Sequence, residues 1–403
     1  FRLILGLLGT LTLLTALSLL WSNSDYSTIV ELDRLIAYIG FLTATFLVCR
    51  DERSRWLFVE GLLLAFAIVL IAALGDRLFP GIDVPAGISP SRLSFPLGYW
   101  NANGLVFGIS IGAFAWASRE SRFAVSRWTA AALIPAAIVG LYFTYSRGGA
   151  VAGAVMLIGL FFLNRHRLWM IAVVLVGATC AAPVIRVIHS NPAIADNLGG
   201  AGAPSQGHHV LVALVAAMAA ALLIGFLVRT IASKVFPGIT RFAVAVFDDR
   251  RFVGLVAVAG VIVIGVLAAT YGGRAWDRFS GDEIYFPDDP KEHFTQLSGA
   301  GRYQFNQVAV DTFRDNSLLG TGAGTYRYEW ASRRTIDLVA QDAHSLYLEN
   351  FAELGILGGL LILAFVVSVL WACATSFRRS DDKSRPLVAL ISAMTLTLFV
   401  SFS

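Results

Sequence analysis

Apolar residues arrive in this chain in runs of bilayer length, one after another from end to end. A hydrocarbon core about 30 Å thick requires about 20 apolar residues of helix. Eleven runs meet or approach that length, near 3–20, 29–49, 56–75, 101–118, 128–145, 149–163, 168–188, 208–228, 252–270, 345–372 and 386–403. They predict an all-α integral membrane protein, a polytopic helical bundle. Charge content agrees: 14% of residues are charged, against about a quarter in a soluble protein, which excludes an ordinary cytosolic enzyme. The net charge of +4 makes no case for nucleic acid as a partner, because the basic residues sit in short loops between apolar runs. Cys49, Cys180 and Cys373 lie in or beside apolar runs and form neither a disulfide framework nor a metal-ligand spacing. The chain begins without Met and stops inside an apolar run at Ser403, the pattern of a piece of a longer protein.

Orientation follows from the distribution of Lys and Arg. Eighteen of the 31 basic residues fall in alternate connections: Arg2; Arg50, Arg53, Arg55; Arg119, Arg122, Arg127; Arg165, Arg167; Arg229, Lys234, Arg241, Arg250, Arg251; and Arg378, Arg379, Lys383, Arg385. The alternation holds without a violation and places the N-terminus in the cytoplasm. The connections 21–28, 76–100, 146–149, 189–207 and 271–343 then lie on the extracytoplasmic side. The first run lacks a small-residue cleavage pattern and is followed by further spans, so it reads as a span rather than a signal peptide. Three parts result: residues 1–270 with nine spans, a loop over 271–343, and C-terminal spans over 344–403.

The long loop carries eight basic residues, Lys291 among them, against eleven acids, which predicts a small folded element rather than a charge block. Phe305, Val308, Ala309, Thr312 and Phe313 recur at helical spacing and predict an amphipathic helix over 302–315, broken by Gly320, Gly322 and Gly324. A weaker helical pattern covers 326–340, with Tyr326, Tyr328 and Trp330 suited to a membrane–water interface.

Three polar features map to this one side. In Tyr145-Ser146-Arg147-Gly148-Gly149, read as a tight turn between spans, an Arg between two apolar runs is costly unless it meets an anion or a partner; snorkelling to headgroups is the competing reading. Gly301-Arg302 opens the amphipathic helix. A guanidinium suits phosphate because its planar fork donates to two oxygens at once, although a single loop Arg is commonly a solvated charge. The third feature runs from Asp342-Ala343-His344 through Glu353-Leu354-Gly355. Asp342 is expected as the helix N-cap, placing His344 in the first turn, where a neutral imidazole accepts a proton as a general base must. Residues 344, 348, 351 and 355 would share one face, ending in a glycine that lets a neighbour pack closely. An acid as deep as Glu353 must be paired or protonated.

Together these segments resemble the O-antigen ligase/polymerase superfamily of bacterial integral-membrane glycosyltransferases. The resemblance rests on Ser146-Arg147-Gly148, on Gly301-Arg302 running into Gly320-Thr321-Gly322-Ala323-Gly324, and on His344-Ser345-Leu346-Tyr347-Leu348 followed by Glu353-Leu354-Gly355-Ile356-Leu357-Gly358. It is strongest over about 300–360. Ser345 departs from it, since many relatives carry Asn after the His, and eleven spans are one short of the usual twelve. The resemblance implies a GT-C-like bundle in the bacterial cytoplasmic membrane. It also implies transfer of a glycan from a polyprenyl-pyrophosphate carrier to a glycan or glycolipid acceptor on the outer face, without metal or other cofactor. His344 would be the base, and Arg147 and Arg302 would bind pyrophosphate.

Weaker candidates surround these. Arg92 precedes Phe95-Pro96-Leu97-Gly98-Tyr99-Trp100-Asn101-Ala102-Asn103-Gly104, where Asn103 would hydrogen-bond sugar or cap the helix. Arg34 would join the phosphate site or pair with Glu31 or Asp33. His208-His209 point apart on a helix without an acid or Cys at ligand spacing, so no metal is expected there. Within the superfamily, a ligase and a surface-polysaccharide polymerase are both open. A lipid-linked-glycan flippase is the alternative of another class, but it would place ionisable residues at mid-membrane on several spans, and the inner spans here are nearly free of charge.

Overall fold

The computed structural model describes residues 1–80, 91–235, 237–281, 299 and 301–401. It is helical, with no strand among the described residues. Long helices occupy each of the expected spans: α1 Arg2–Leu17, α2 Asp25–Val48, α3 Glu52–Leu78, α4 Trp100–Glu120, α5 Ala124–Thr144, α6 Arg147–Leu163, α7 Arg167–His189, α9 Ala203–Val235, α11 Arg250–Ser280, α14 Leu346–Arg379 and α15 Arg385–Ser401. Between them lie α8 Pro192–Ala195, α10 Pro237–Asp248, α12 Arg302–Asp315 and α13 Tyr326–Arg333. Among the described residues seven helices are long and apolar enough to cross a membrane, and α6 and α15 are apolar but shorter. The chain is a polytopic all-α membrane protein.

The two remaining long helices carry polar residues for reasons their surroundings explain. Helix α4 is almost wholly buried from Asn103 to Ser118, packed by α3, α5, α6, α7 and α15, so it faces protein rather than lipid. Small residues allow the closest of these approaches. A Cβ built on Gly149 of α6 would lie 2.6 Å from the Gly104 carbonyl of α4, which is backbone-to-backbone contact of the small-residue kind. Phe107, Phe114, Trp116, Ile134, Phe143, Met156 and Leu160 fill the space around it and are fully buried. Helix α2 carries Asp25, Glu31, Asp33 and Arg34 in its first turns, toward the site described below.

A second group, α1, α2, α12, α13 and α14, packs beside this core. Helix α15 joins the two: it packs on both α6 and α14, accepts the Trp116 indole N–H at the Pro386 carbonyl (2.9 Å), and takes the Tyr347 hydroxyl at the Phe399 carbonyl (3.1 Å). Helix α11 stands apart, with no buried residue in its most apolar window.

Several boundaries differ from the sequence expectation. Helix α11 continues ten residues past 270 to Ser280, extending the ninth span beyond its apolar run. The amphipathic helix spans 302–315 as expected but ends at Asn316, ahead of the glycines. The helix expected over 326–340 stops at Arg333, because its aromatic anchors Tyr326 and Trp330 lie in its first five residues and nothing apolar continues their face. Lys291 lies outside the described residues.

Candidate functional site

The connection between α5 and α6 is tighter than expected, only Tyr145 and Ser146. Arg147 is therefore the first residue of α6 rather than part of a turn. Tyr145 takes the left-handed conformation (φ 47°), uncommon for a residue with a Cβ. Ser146 caps α6, its Oγ accepting Gly149 N–H at 3.0 Å and donating to Asn101 at 2.7 Å. Arg92 approaches from the 91–99 segment. It donates to the Tyr145 carbonyl at 3.4 Å and lies over the Trp100 ring at 5.0 Å. Burial pushes its pKa below the ordinary arginine value; Tyr99 opposes that, and the neighbouring Arg147 charge adds to it.

Arg302 completes a cluster of cations. It lies near enough to Arg147 for the two charges to repel, although 155 positions separate them in the chain. Phe305, one turn further along α12, meets the His344 ring at 5.1 Å between centroids. Residues three apart share a helix face, so α12 presents Arg302 on the side that touches the imidazole.

His344 lies outside the helix in which it was expected. Ser345, not Asp342, is the N-cap of α14, and His344 precedes it with φ 55°. Both Asp and Ser are competent caps, and here the Asp342 carboxylate is engaged by His344. Asp342 instead holds the imidazole: its Oδ1 accepts the His344 backbone N–H at 3.0 Å and lies 2.9 Å from Nδ1. The hydrogen bond from His344 keeps the Asp342 carboxyl below the usual carboxylate range, against its own burial, with a smaller contribution from Arg34. Glu349, which the sequence reading passed over, reaches back from the first turns of α14 to accept Ala343 N–H at 2.9 Å. With Nδ1 facing the carboxylate, Nε2 is the nitrogen left to act on a ligand. The imidazole is exposed, at 36% of its side-chain surface.

Glu353 has a structural role. Its oxygens accept the backbone N–H groups of Gly324 (2.7 Å) and Tyr326 (2.8 Å), binding the glycine-rich strap to α14. Gly355 is both a break in α14 and a close-packing glycine: at φ 63°, ψ −160° it releases backbone groups that the strap, packed against it, satisfies. Thr321 and Gly322 donate to the carbonyls of Ala352 and Glu353, and Ile356 donates to Ser317. The face expected through 344, 348, 351 and 355 therefore does not exist as one helical stripe.

The weaker candidates divide. Arg34 pairs with Glu31 at 2.5 Å beside Asp342. Asn103 is fully buried, and its amide donates to the carbonyls of Leu93 (3.0 Å) and Phe95 (2.8 Å). It anchors the segment bearing Arg92 rather than facing a ligand or capping α4. His208 meets Phe79 edge-on.

These features define a membrane-spanning protein with a cation-rich site, flanked by a carboxylate–imidazole pair, at one end of its bundle. Residues 209–363 match the family model described as O-Antigen ligase. The match places this segment, with Arg302, the strap, the Asp342–His344 pair and Glu353, in the O-antigen ligase/polymerase superfamily. Arg34, Arg92 and Arg147 precede the matched segment. A comparison with curated proteins finds no match.

Proposed function

We propose that this chain transfers a glycan from a polyprenyl-pyrophosphate carrier to a sugar hydroxyl of a glycan or glycolipid acceptor, as a ligase on the outer face of the bacterial cytoplasmic membrane. The observation that carries the reading is an imidazole oriented by Asp342 against the helix that Arg302 opens, with Arg147 near enough to Arg302 for their charges to repel. Holding like charges together is unfavourable by itself, and a pyrophosphate offsets that repulsion.

In the proposed step, the acceptor oxygen attacks the anomeric carbon from the face opposite the pyrophosphate. A C–O bond forms to the acceptor as the bond from the anomeric carbon to the phosphate oxygen breaks. The electron pair leaves with the polyprenyl pyrophosphate, whose growing charge Arg147 and Arg302 stabilise. Arg92 backs the Tyr145–Ser146 connection ahead of Arg147 and adds positive potential. The acceptor proton passes to Nε2 of His344, with Asp342 holding Nδ1–H in the manner of a triad carboxylate. The anomeric centre is inverted.

The test is a transfer assay with purified protein, a polyprenyl-pyrophosphate glycan and a sugar acceptor. His344→Ala is expected to lower turnover by about a hundredfold or more while leaving insertion and melting temperature unchanged. Undiminished product removes His344 as the base.

A further inference from the structure

We propose that the end of α11 and the start of α12 form an aromatic platform, centred on Trp276, that stacks against the first sugar ring of the lipid-linked donor. This deepens the transfer reading and rests on it. Three rings make the platform: Trp276 meets Tyr303 edge-on at 5.7 Å, Phe279 lies 6.1 Å from Trp276, and Tyr303 lies 6.3 Å from Phe279. Tyr303 and Phe279 brace the indole, and 57% of the Trp276 surface remains exposed. The two helices are held together there, because Gln304 donates to the carbonyls of Ser280 (3.4 Å) and Gly281 (3.2 Å).

Position separates this cluster from a membrane anchor. Tyr271, at the end of the apolar run, already occupies the place of an interfacial aromatic. Trp276 is five residues, about 8 Å, further along the helix, in a stretch with Arg274, Asp277 and Arg278. Charges on that stretch put it beyond the hydrocarbon. Proximity to the cations then suggests the ligand. Tyr303 adjoins Arg302, and in a glycosyl pyrophosphate the first sugar is one oxygen away from phosphorus. A pyranose presents a face of axial C–H groups carrying partial positive charge, which complements the negative face of an indole. Arg302 and Tyr303 open the same turn of α12, so in this proposal the sugar bonded to the pyrophosphate held by Arg302 is the one that stacks on the ring.

The test measures binding of two ligands to the full chain in nanodiscs: bare polyprenyl pyrophosphate and the same lipid carrying its glycan. Wild type, Trp276→Ala and Trp276→Phe are compared. Trp276→Ala is expected to weaken the glycan-bearing lipid roughly fivefold to tenfold, the value of one good aromatic contact, and to leave the bare lipid unchanged. Trp276→Phe, which keeps a ring and the packing, is expected to retain most of the affinity. Equal loss for both lipids would mean a membrane anchor and overturn the platform, as would full glycan-lipid affinity in Trp276→Ala. Failure of bare polyprenyl pyrophosphate to bind wild type strikes instead at the pyrophosphate reading, so the two failures are distinguishable.

Discussion

His344 holds a backbone conformation (φ 55°) that costs a residue with a Cβ of order 1–3 kcal/mol, and three side chains hold it there. Asp342 takes its N–H and its Nδ1, Glu349 takes the N–H before it, and Ser345 caps the helix after it. Asp342→Asn keeps an oxygen at that position and removes the charge that stabilises a protonated imidazole. A fall in turnover of about 10²–10⁴ is expected, with Km changed little; wild-type turnover would separate Asp342 from the chemistry. The folded pKa of Asp342 is depressed below an unfolded value near 3.9. Its stabilising contribution is therefore full above that value and is lost as pH falls through the depressed one. The melting-temperature gap between wild type and Asp342→Asn should persist above about pH 5, narrow as pH falls below about 4, and vanish below the depressed folded value. At the cations, Arg147→Lys and Arg302→Lys keep charge but lose the bidentate fork, so each should cost much of the activity in the same assay. Wild-type rates in both variants count against pyrophosphate binding.

At the scale of elements, the decisive feature is the break in α14. The strap over 317–324 enters at Gly355, where a Cβ would lie 2.3 Å from the Leu318 carbonyl on a backbone open essentially to glycine alone. Gly355→Ala should lower the melting temperature and speed hydrogen exchange in the strap; unchanged exchange would mean the strap is held elsewhere. Glu353→Ala leaves the N–H groups of Gly324, in the strap, and Tyr326, at the start of α13, without their acceptor, at about 1–3 kcal/mol each. What the sequence disclosed here follows the range of the forces. Helix α12 was legible to the residue because Phe305, Val308, Ala309 and Thr312 lie within about two turns of one another and form one buried face. Tyr145 to Arg147 was legible as a connection but not in register, since local preference does not decide whether Arg147 ends a turn or starts a helix. The cap at Ser345 and the break at Gly355 were not legible, because Asp342 competes locally as a cap and the strap that opens α14 lies some 35 residues upstream. Gly104 and Gly149 were a readable signal that was missed: Gly104-x-x-x-Gly108-x-x-x-Gly112 and Gly149-x-x-x-Gly153 mark the α4–α6 contact.

Across the whole molecule, charge separates two ends. The end remote from His344 is laced by pairs joining loops: Arg122 with Glu52, Arg165 with Asp382 at 2.6 Å, and Arg167 with Asp248 at 3.3 Å. The same loops hold the basic residues that alternate along the sequence, so the pattern read in one dimension collects into one face in three. Basic residues in short loops are retained on the cytoplasmic side, and the site at the other end would then face out, where a lipid-linked donor presents its glycan to acceptors that never enter the cytoplasm. Single-cysteine labelling checks this. With Cys49, Cys180 and Cys373 replaced by Ser, Asp337→Cys, at a position 98% exposed in its side chain, should react with a membrane-impermeant maleimide in intact spheroplasts. Lys383→Cys, at an exposed position between α14 and α15, should react only after permeabilisation. The reverse pattern would invert the bundle and place His344 and the arginines in the cytoplasm, where the step proposed for them would have to use a donor on the inner leaflet.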